Sequence, residues 1–578
     1  MAPSSARSHC VGTALLVLTL SGCAHAAHDD SRIRLNQLGF LVDAPKQAVV
    51  VAPSGDRFSI TDTGSNTVVF EGQLTPAAAW QASGETVRIA DFSALTQPGE
   101  YRLAVEGLSQ SVTVSIGMDV YAPLAAAALK AFYFNRSGTA LAKAHAGRWA
   151  RAAGHPDTRV AVHESAAPST RPAGTYLSAP KGWYDAGDYN KYVVNSGIST
   201  YTLLAAFEHF PDYHRTQNLD IPESDDAVPD ILDEAYWNLH WMLAMQDPDD
   251  GGVYHKLTTL EFAAAVMPNE ARAQRFVVQK STAAALNFAA VMAAASRIYS
   301  SYERSFPGLA ERSRKAAGAA YEWALHNPTA VYVQPGDVQT GEYGDNELDD
   351  EFFWAATELY LATGKAAYLD DVESYAAPIS TPNWQQVAGL AYLSLHTHNE
   401  SLPDVWQARV VEAFARYAQT LTERHERSAY GIAYGGDLDD FHWGGTGTAM
   451  NQSLLLIRAF VSTGESRYLD AASANFDYVL GRNATGYSFV TGFGQHTPMH
   501  IHHRVSAADG VFEPVPGLLV GGPNTNGQDG CKYPSELPAR SYLDDWCSYT
   551  TNEVAINWNA PLVYVASALQ ALARRSTD

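Results

Sequence analysis

From Ile33 to Ile116 apolar and polar residues alternate in short runs: Lys46-Gln47-Ala48-Val49-Val50-Val51, Phe58-Ser59-Ile60-Thr61, Thr67-Val68-Val69-Phe70, 99–105 and 110–115. Turn signals stand between them, among them Pro53-Ser54-Gly55-Asp56, Thr63-Gly64-Ser65 and Gln97-Pro98-Gly99. Alternation with period two turns one face of each run to a core and the other to water, which makes them strands. Five or more such strands in about 85 residues predict a small immunoglobulin-like sandwich over 33–117. Past Asp119 the period lengthens to about 3.6. Pro123 to Phe132 opens a helix, and 230–246 is another, with Ile231, Ala235, Leu239 and Met242 on one face and acids in its first turn. Further helices are predicted at 193–209, 281–300, 310–326, 349–363, 384–396, 404–424, 448–463, 467–480 and 561–575. About a dozen helices joined by long Gly/Pro/Asp-rich connections fit helical hairpins arranged in a ring or stack, the mainly α part of the chain over 118–575. No fixed-length repeat accompanies them.

Composition narrows the partners. The chain has 578 residues, 39 Lys+Arg against 62 Asp+Glu and a formal net charge of −23. Such a surface repels phosphate backbones and anionic headgroups, and no Lys/Arg cluster offsets it, so nucleic acid is not an expected partner. Residues 1–23 read as a lipoprotein-type export signal: Arg7, an apolar run of about ten residues too short to span a bilayer, then Leu20-Ser21-Gly22-Cys23, which resembles a lipidation box at Cys23. Ordinary cleavage after Ala24 or Ala26 is the competing reading. Either way the protein is expected outside the cytoplasm, periplasmic, anchored at the outer membrane or secreted, touching membrane only through a lipid anchor and acting as a monomer. With Cys10 and Cys23 in the leader, Cys531 and Cys547 remain, and export favours a disulfide between them. Closing a loop of that length is worth roughly 3 kcal/mol in the chain-entropy model.

Three loops carry candidate chemistry. Lys181-Gly182-Trp183-Tyr184-Asp185-Ala186-Gly187-Asp188-Tyr189-Asn190-Lys191-Tyr192 sets two carboxylates three apart between aromatics, suited to one water and one sugar ring; a polar turn capping the helix at 193 is the alternative. In 541–561, Glu553 is the one acid of a neutral, apolar stretch before the last helix. Partial burial there would raise its pKa and make it a general acid, whereas a solvated helix-start glutamate would do nothing. His500-Ile501-His502-His503-Arg504 suggests a metal, but no partner stands at usable spacing, so donors to sugar hydroxyls are the better use.

Taken together, these loops resemble glycoside hydrolase family 9, the inverting β-1,4-glucanases, in the subgroup with an immunoglobulin-like domain before the catalytic domain. The resemblance runs from about residue 33 to the end. Its carriers are Asp185-Ala186-Gly187-Asp188, His502-x-Arg504, and Tyr542-x-Asp544 continued through Tyr549 to Glu553 and Asn559-Ala560, with support from 229–234, 350–354, 480–483 and 521–524. It implies an (α/α)6 barrel with an open cleft, a β-glucan polysaccharide or oligosaccharide as substrate, and chemistry without a cofactor. By motif position Glu553 is the general acid and Asp188 the general base, with Asp185 helping to hold the attacking water. His502 and Arg504 hold the sugar, Asp544 and Tyr549 shape the acid's side, and His503, Trp183 and Tyr184 complete the expected contacts. Inversion needs the two carboxyls roughly 6.5–9.5 Å apart.

Departures from the family pattern add further expectations. Relatives with this domain order often carry a structural zinc on Cys and His, but 132–138 and Gly154-His155 offer no Cys, so zinc is expected to be absent. Asp350 and Glu351 match a calcium segment of some relatives, with no later Asp to complete it. His496 stands where Asn, Lys or Arg is usual. An endo-acting glucanase is the first expectation, an exo-acting glucosidase or glucosaminidase of the same fold the second. A non-catalytic glycan-binding lipoprotein is the third, disfavoured because both acid and base are present.

Overall fold

The computed structural model describes residues 31–167 and 170–575. The expected signal and lipidation site, residues 1–23 with Cys23, lie outside them. Nine strands make the first unit: β1 Ile33–Arg34, β2 Phe40–Leu41, β3 Gln47–Val51, β4 Arg57–Asp62, β5 Val68–Gln73, β6 Ala78–Trp80, β7 Glu85–Asp91, β8 Gly99–Val105 and β9 Ser111–Gly117. They form two sheets, β1-β3-β7-β6 and β2-β9-β8-β4-β5. The inward positions Ala48, Val50, Phe58, Ile60, Leu103 and Val114 fill the core between them.

Among the described residues the helices of nine or more residues number twelve and follow in hairpins: α1 Ala122–Phe134, α2 Val193–His209, α3 Asp230–Ala244, α4 Thr282–Tyr299, α5 Leu309–His326, α6 Asp349–Thr363, α7 Ala366–Ser374, α8 Ala388–Thr397, α9 Asp404–Arg427, α10 Gly445–Thr463, α11 Ser466–Val479 and α12 Ile556–Arg575. The even-numbered helices pack side by side into a closed inner ring, α12 returning against α2, and each odd-numbered helix lies outside on a neighbour. This is an (α/α)6 barrel. The residue patterns explain the two layers. In α9 the buried Trp406, Val410, Phe414, Ala418 and Leu421 form one stripe. In α2 every residue from Val193 to Phe207 is buried, because an inner helix has protein on all sides.

All six inner helices start at the same end of the barrel, and the long connections gather there. A five-stranded sheet of very short strands stiffens them: β10 Val160–Val162, β11 Tyr176–Leu177, β12 Lys191–Tyr192, β13 Lys256–Thr258 and β14 Phe276–Val277, in the order β11-β10-β14-β13-β12. The sandwich docks on the barrel's flank. Asn36 donates to Asp477 at 2.9 Å. The Gln37 Oε1 accepts the N–H groups of Gln495 and His496 at 2.8 and 2.9 Å, and Trp80 packs on Tyr430. Among the described residues no helix is long and apolar enough to cross a membrane.

Candidate active site

The segment 185–190 leads through β12 into α2, and Glu553 stands three residues before α12, so two adjacent inner helices bring them together. The Ile556 N–H donates to the Asp185 carbonyl at 2.9 Å, which staples the two segments. Glu553 Oε1 accepts the Gly187 N–H at 3.2 Å. A Cβ on Gly187 would lie 2.2 Å from the His502 carbonyl and 3.0 Å from Glu553 Oε1, so only glycine permits this approach. From beneath, Lys191 Nζ bonds to Asp157 and to the Lys181 carbonyl, both at 2.7 Å. Arg275 holds the Tyr189 carbonyl at 2.8 Å.

The three carboxyls differ in how their oxygens are engaged. Asp185 is buried and has both taken, Oδ1 by Asn195 at 2.7 Å and Oδ2 by the Tyr343 hydroxyl at 2.8 Å. Burial, and then the Asp188 charge, push its pKa up to about 8. Asp188 takes three donors on Oδ2: Asn190 Nδ2 at 2.6 Å, the Asn190 N–H at 3.3 Å and the Tyr192 hydroxyl at 3.1 Å. Its Oδ1 has no protein donor among the described residues. Glu553 likewise keeps Oε2 without a donor among them. Burial first, then the charge of Asp188, hold its pKa well above the ordinary carboxylate range, against the pull of the Gly187 N–H. Glu553, biased toward its protonated form, thus keeps one free oxygen and Asp188 keeps another, and two such carboxyls can give and take a proton on the two sides of one bond.

His502 pairs with Glu553 as a short parallel bridge. Its Nδ1 lies 2.8 Å from the Trp546 carbonyl, which can only accept, so the proton sits on Nδ1 and Nε2 is the acceptor. Burial lowers its pKa, in keeping with a neutral ring. Trp546 stacks on that ring, and Tyr549 stands edge-on at 5.8 Å. Among the described residues Asp544 has no hydrogen bond to Asp185, Asp188 or Glu553. It accepts the N–H groups of Met499 and His500 at 2.8 and 2.9 Å and the Asn552 amide at 2.9 Å, fixing the backbone on both sides of His502 and Glu553. The Cys531–Cys547 disulfide, Cα atoms 6.2 Å apart, closes the loop that contains Asp544 and Trp546.

Several expected sugar contacts lie elsewhere. Trp183 is wholly buried against Phe132 with its Nε1 on Glu234 at 3.3 Å, and Tyr184 is buried with its hydroxyl on His155 at 2.9 Å. Trp183 belongs to the barrel core and Tyr184 to a small cluster with Tyr189 and Val505, because the loop turns its aromatics inward and its carboxylates to the cleft. His503 is buried too, its Nδ1 on Ser506 at 3.0 Å. Arg504 donates to the carbonyls of Ala263 and Gly187 at 2.6 and 2.8 Å and covers the Phe262 ring, so it ties the segment 185–190 to its neighbour. Aromatic residues without a motif stand beside the carboxyls and His502 instead. Tyr343, with φ +50°, turns onto Asp185 and packs against Trp384, while Trp443, two-fifths exposed, packs on Tyr549. The one available signal was position: each aromatic shortly precedes an inner helix.

The metal expectations come out differently. Glu351 is buried with neither oxygen hydrogen-bonded, and Asp345 Oδ2 is in the same state. Burial and the nearby Asp350 push the Glu351 pKa well up. Asp350 itself caps the Val387 N–H at 2.7 Å. Unpartnered hard oxygens suit calcium, but among the described residues no three acids, histidines or cysteines converge on a metal position. No step of the chemistry depends on a metal there. His155, where relatives were expected to place zinc, bonds Tyr184 and the Ala271 carbonyl, each at 2.9 Å.

The model of glycosyl hydrolase family 9 matches residues 121–566, and that of the cellulase N-terminal Ig-like domain matches 28–110. A xyloglucan-specific endo-β-1,4-glucanase of Bacteroides ovatus is 48% identical over 556 residues, 94% of each chain. Endoglucanase D of Acetivibrio thermocellus is 36% identical over 552 residues, 93% of this chain and 83% of that one. A solved family 9 structure from Bacteroides ovatus superposes with a TM-score of 0.89 at 46% identity, covering 94% of this chain and 99% of the other.

Proposed function

Because the chain belongs to glycosyl hydrolase family 9, and so is a glycoside hydrolase whose chemistry runs on its own side chains, we propose that it is an endo-acting β-1,4-glucanase with xyloglucan as its preferred substrate. The observation that carries this reading is the pairing of Glu553 with Asp188, each with one unengaged oxygen, in a chain 48% identical to a xyloglucan-specific endoglucanase. Glu553 gives its proton to the departing glycosidic oxygen. Asp188 Oδ1 takes a proton from the water that attacks the anomeric carbon from the other face, inverting it. Asp185, with both oxygens engaged, orients Tyr343 and Asn195 and through them the floor on which that water rests. The neutral His502 offers Nε2 to a sugar hydroxyl, and Trp443 with Tyr549 offers ring faces to the sugar. The leader expected over 1–23 takes the enzyme out of the cytoplasm to meet polymeric glucan, anchored through Cys23.

The test is a screen of the purified protein on xyloglucan, carboxymethylcellulose, mixed-linkage glucan, chitosan oligomers and aryl glucosides, with products resolved by size and the anomer identified by NMR. Expected are xyloglucan oligosaccharides of several lengths from the first time point, released as the α-anomer. Monosaccharide as the sole early product would overturn endo action, and faster turnover of undecorated glucan would overturn the xyloglucan preference.

A further inference from the structure

Lys256 lies on β13, in register with Tyr192 of β12, and is wholly buried. Its ammonium has three N–H donors and three neutral acceptors: Gln334 Oε1 at 2.9 Å, Thr340 Oγ1 at 3.1 Å and the Gly341 carbonyl at 2.5 Å. Among the described residues no carboxylate lies within ion-pair distance of it. A buried cation without a carboxylate in contact is costly, so its charge calls for a use beyond holding three acceptors. Two ring faces sit beneath it, Tyr192 at 5.5 Å and Tyr332 at 5.4 Å. Tyr192 also donates its hydroxyl to Asp188 Oδ2 at 3.1 Å. The cation on its face draws electron density from the phenol and strengthens that donation. On the other side, the segment that Lys256 grips continues two residues past Gly341 to Tyr343, which donates to Asp185.

We propose that Lys256 is a positioning residue for the reaction: its ammonium fixes the 334–343 segment over the cleft and supplies the positive charge that stabilises the Asp188 carboxylate through Tyr192. The proposal rests on Asp188 being the base. The charged groups that act on Lys256 are Asp188 and then Glu342, and burial outweighs both, bringing its own pKa down to about 7. His255 beside it, stacked on Tyr332, stays neutral, its pKa lowered by burial to about 3. Of the two carboxylates that act on it, Asp188 acts the more strongly.

The experiment is the pH profile of kcat/KM on a defined xyloglucan oligosaccharide for the wild type, Lys256→Met and Lys256→Arg. The Met variant is expected to move the acid limb to higher pH by about one unit. One unit below the wild-type limb its relative rate then falls a further ~10-fold. Lys256→Arg should leave the limb in place. A uniform loss of rate at every pH, with the limb unmoved, would reduce Lys256 to scaffold and overturn the proposal. If Lys256→Met does not fold, Lys256→Gln, which keeps hydrogen bonding and removes the charge, is read by the same criterion. Asp188→Asn separates this from the base assignment: full activity in that variant defeats the assignment of Asp188, whatever Lys256 does.

Discussion

At the cleft end of the barrel the six inner helices present their N-termini, and the groups placed there are carboxyls, each in a different state of engagement. At the closed end the same six helices present their C-terminal halves, and the groups there are cations and imidazoles bound to hydroxyls, to one another and to the carboxylate of Glu358. Arg297 of α4 pairs with Glu358 of α6 at 2.6 Å. His209 of α2 bridges Tyr564 of α12 and Thr397 of α8, both at 2.8 Å. Arg458 of α10 donates to His396 of α8 at 3.1 Å. Helix dipoles favour this division, since N-termini stabilise anions and C-termini cations. Partnering makes the larger difference. At the closed end those groups bind one another across the ring, whereas Asp188 and Glu553 each keep an oxygen with no protein donor among the described residues. Reactivity follows from what is left unbonded, and buried titratable residues alone would have pointed to both ends equally.

The largest effects should separate the ends by activity. Glu553→Gln and Asp188→Asn are each expected to lower kcat by about 10²–10⁴-fold or more, with chemical denaturation midpoints equal to or above wild type. The Glu553 carboxyl is held neutral at a cost that an amide does not incur, so its removal should not weaken the fold. Loss of stability in step with activity would show that the cleft end is built like the closed one.

Much of this asymmetry was legible in the chain, for reasons that particular residues make plain. Outer helices such as α9 show their stripe of Trp406, Val410, Phe414 and Ala418. The inner α2 and α4 are buried all round, so their hydrophobic runs mark a helix without marking which face meets what. Helix α7, nine residues with Val372 as its one buried side chain, has too little pattern to be predicted and was missed. The strands β12 and β13 are two and three residues long, below what alternation can signal, yet they carry Tyr192 and Lys256 to Asp188. Asp185, Asp188 and Glu553 stood out because motifs surround them. Tyr343, Trp384 and Trp443 come from segments without a motif. Trp183 and Tyr184 misled because sequence adjacency to a carboxylate says nothing about which way a loop turns its rings.

The closed end should answer to stability. Glu358 is fully buried and Arg297 nearly so. Glu358→Gln leaves the guanidinium without its counter-charge and is expected to cost about 3–5 kcal/mol, the usual consequence of breaking a buried pair. The midpoint of urea unfolding measures it. Turnover at 25 °C should remain within about twofold of wild type, since the network lies at the opposite end of the helices from the cleft. A matching fall in kcat below the unfolding range would mean that the two ends are coupled along the inner helices.

The smallest effect has opposite signs at the two ends. His396 is buried, and burial, then the charge of Arg458, lower its pKa to about 4. In the unfolded chain the imidazole takes its proton below about 6.5, whereas the folded one must stay neutral to accept from Arg458. Between those values the unfolded state binds more protons, so acidification destabilises: at pH 5 this one group should remove about 2 kcal/mol relative to neutral pH. Asp185, with its pKa raised to about 8, runs the other way, because the folded state holds a proton that the unfolded state releases until the pH nears 4. Unfolding free energies at pH 7 and pH 5 for wild type, His396→Gln and Asp185→Asn therefore sharpen the comparison. His396→Gln should lower stability at pH 7 and flatten the acid loss. Asp185→Asn should steepen it, since the compensating proton uptake is gone. Parallel pH dependences in all three proteins would mean that neither end carries the protonation difference its environment implies.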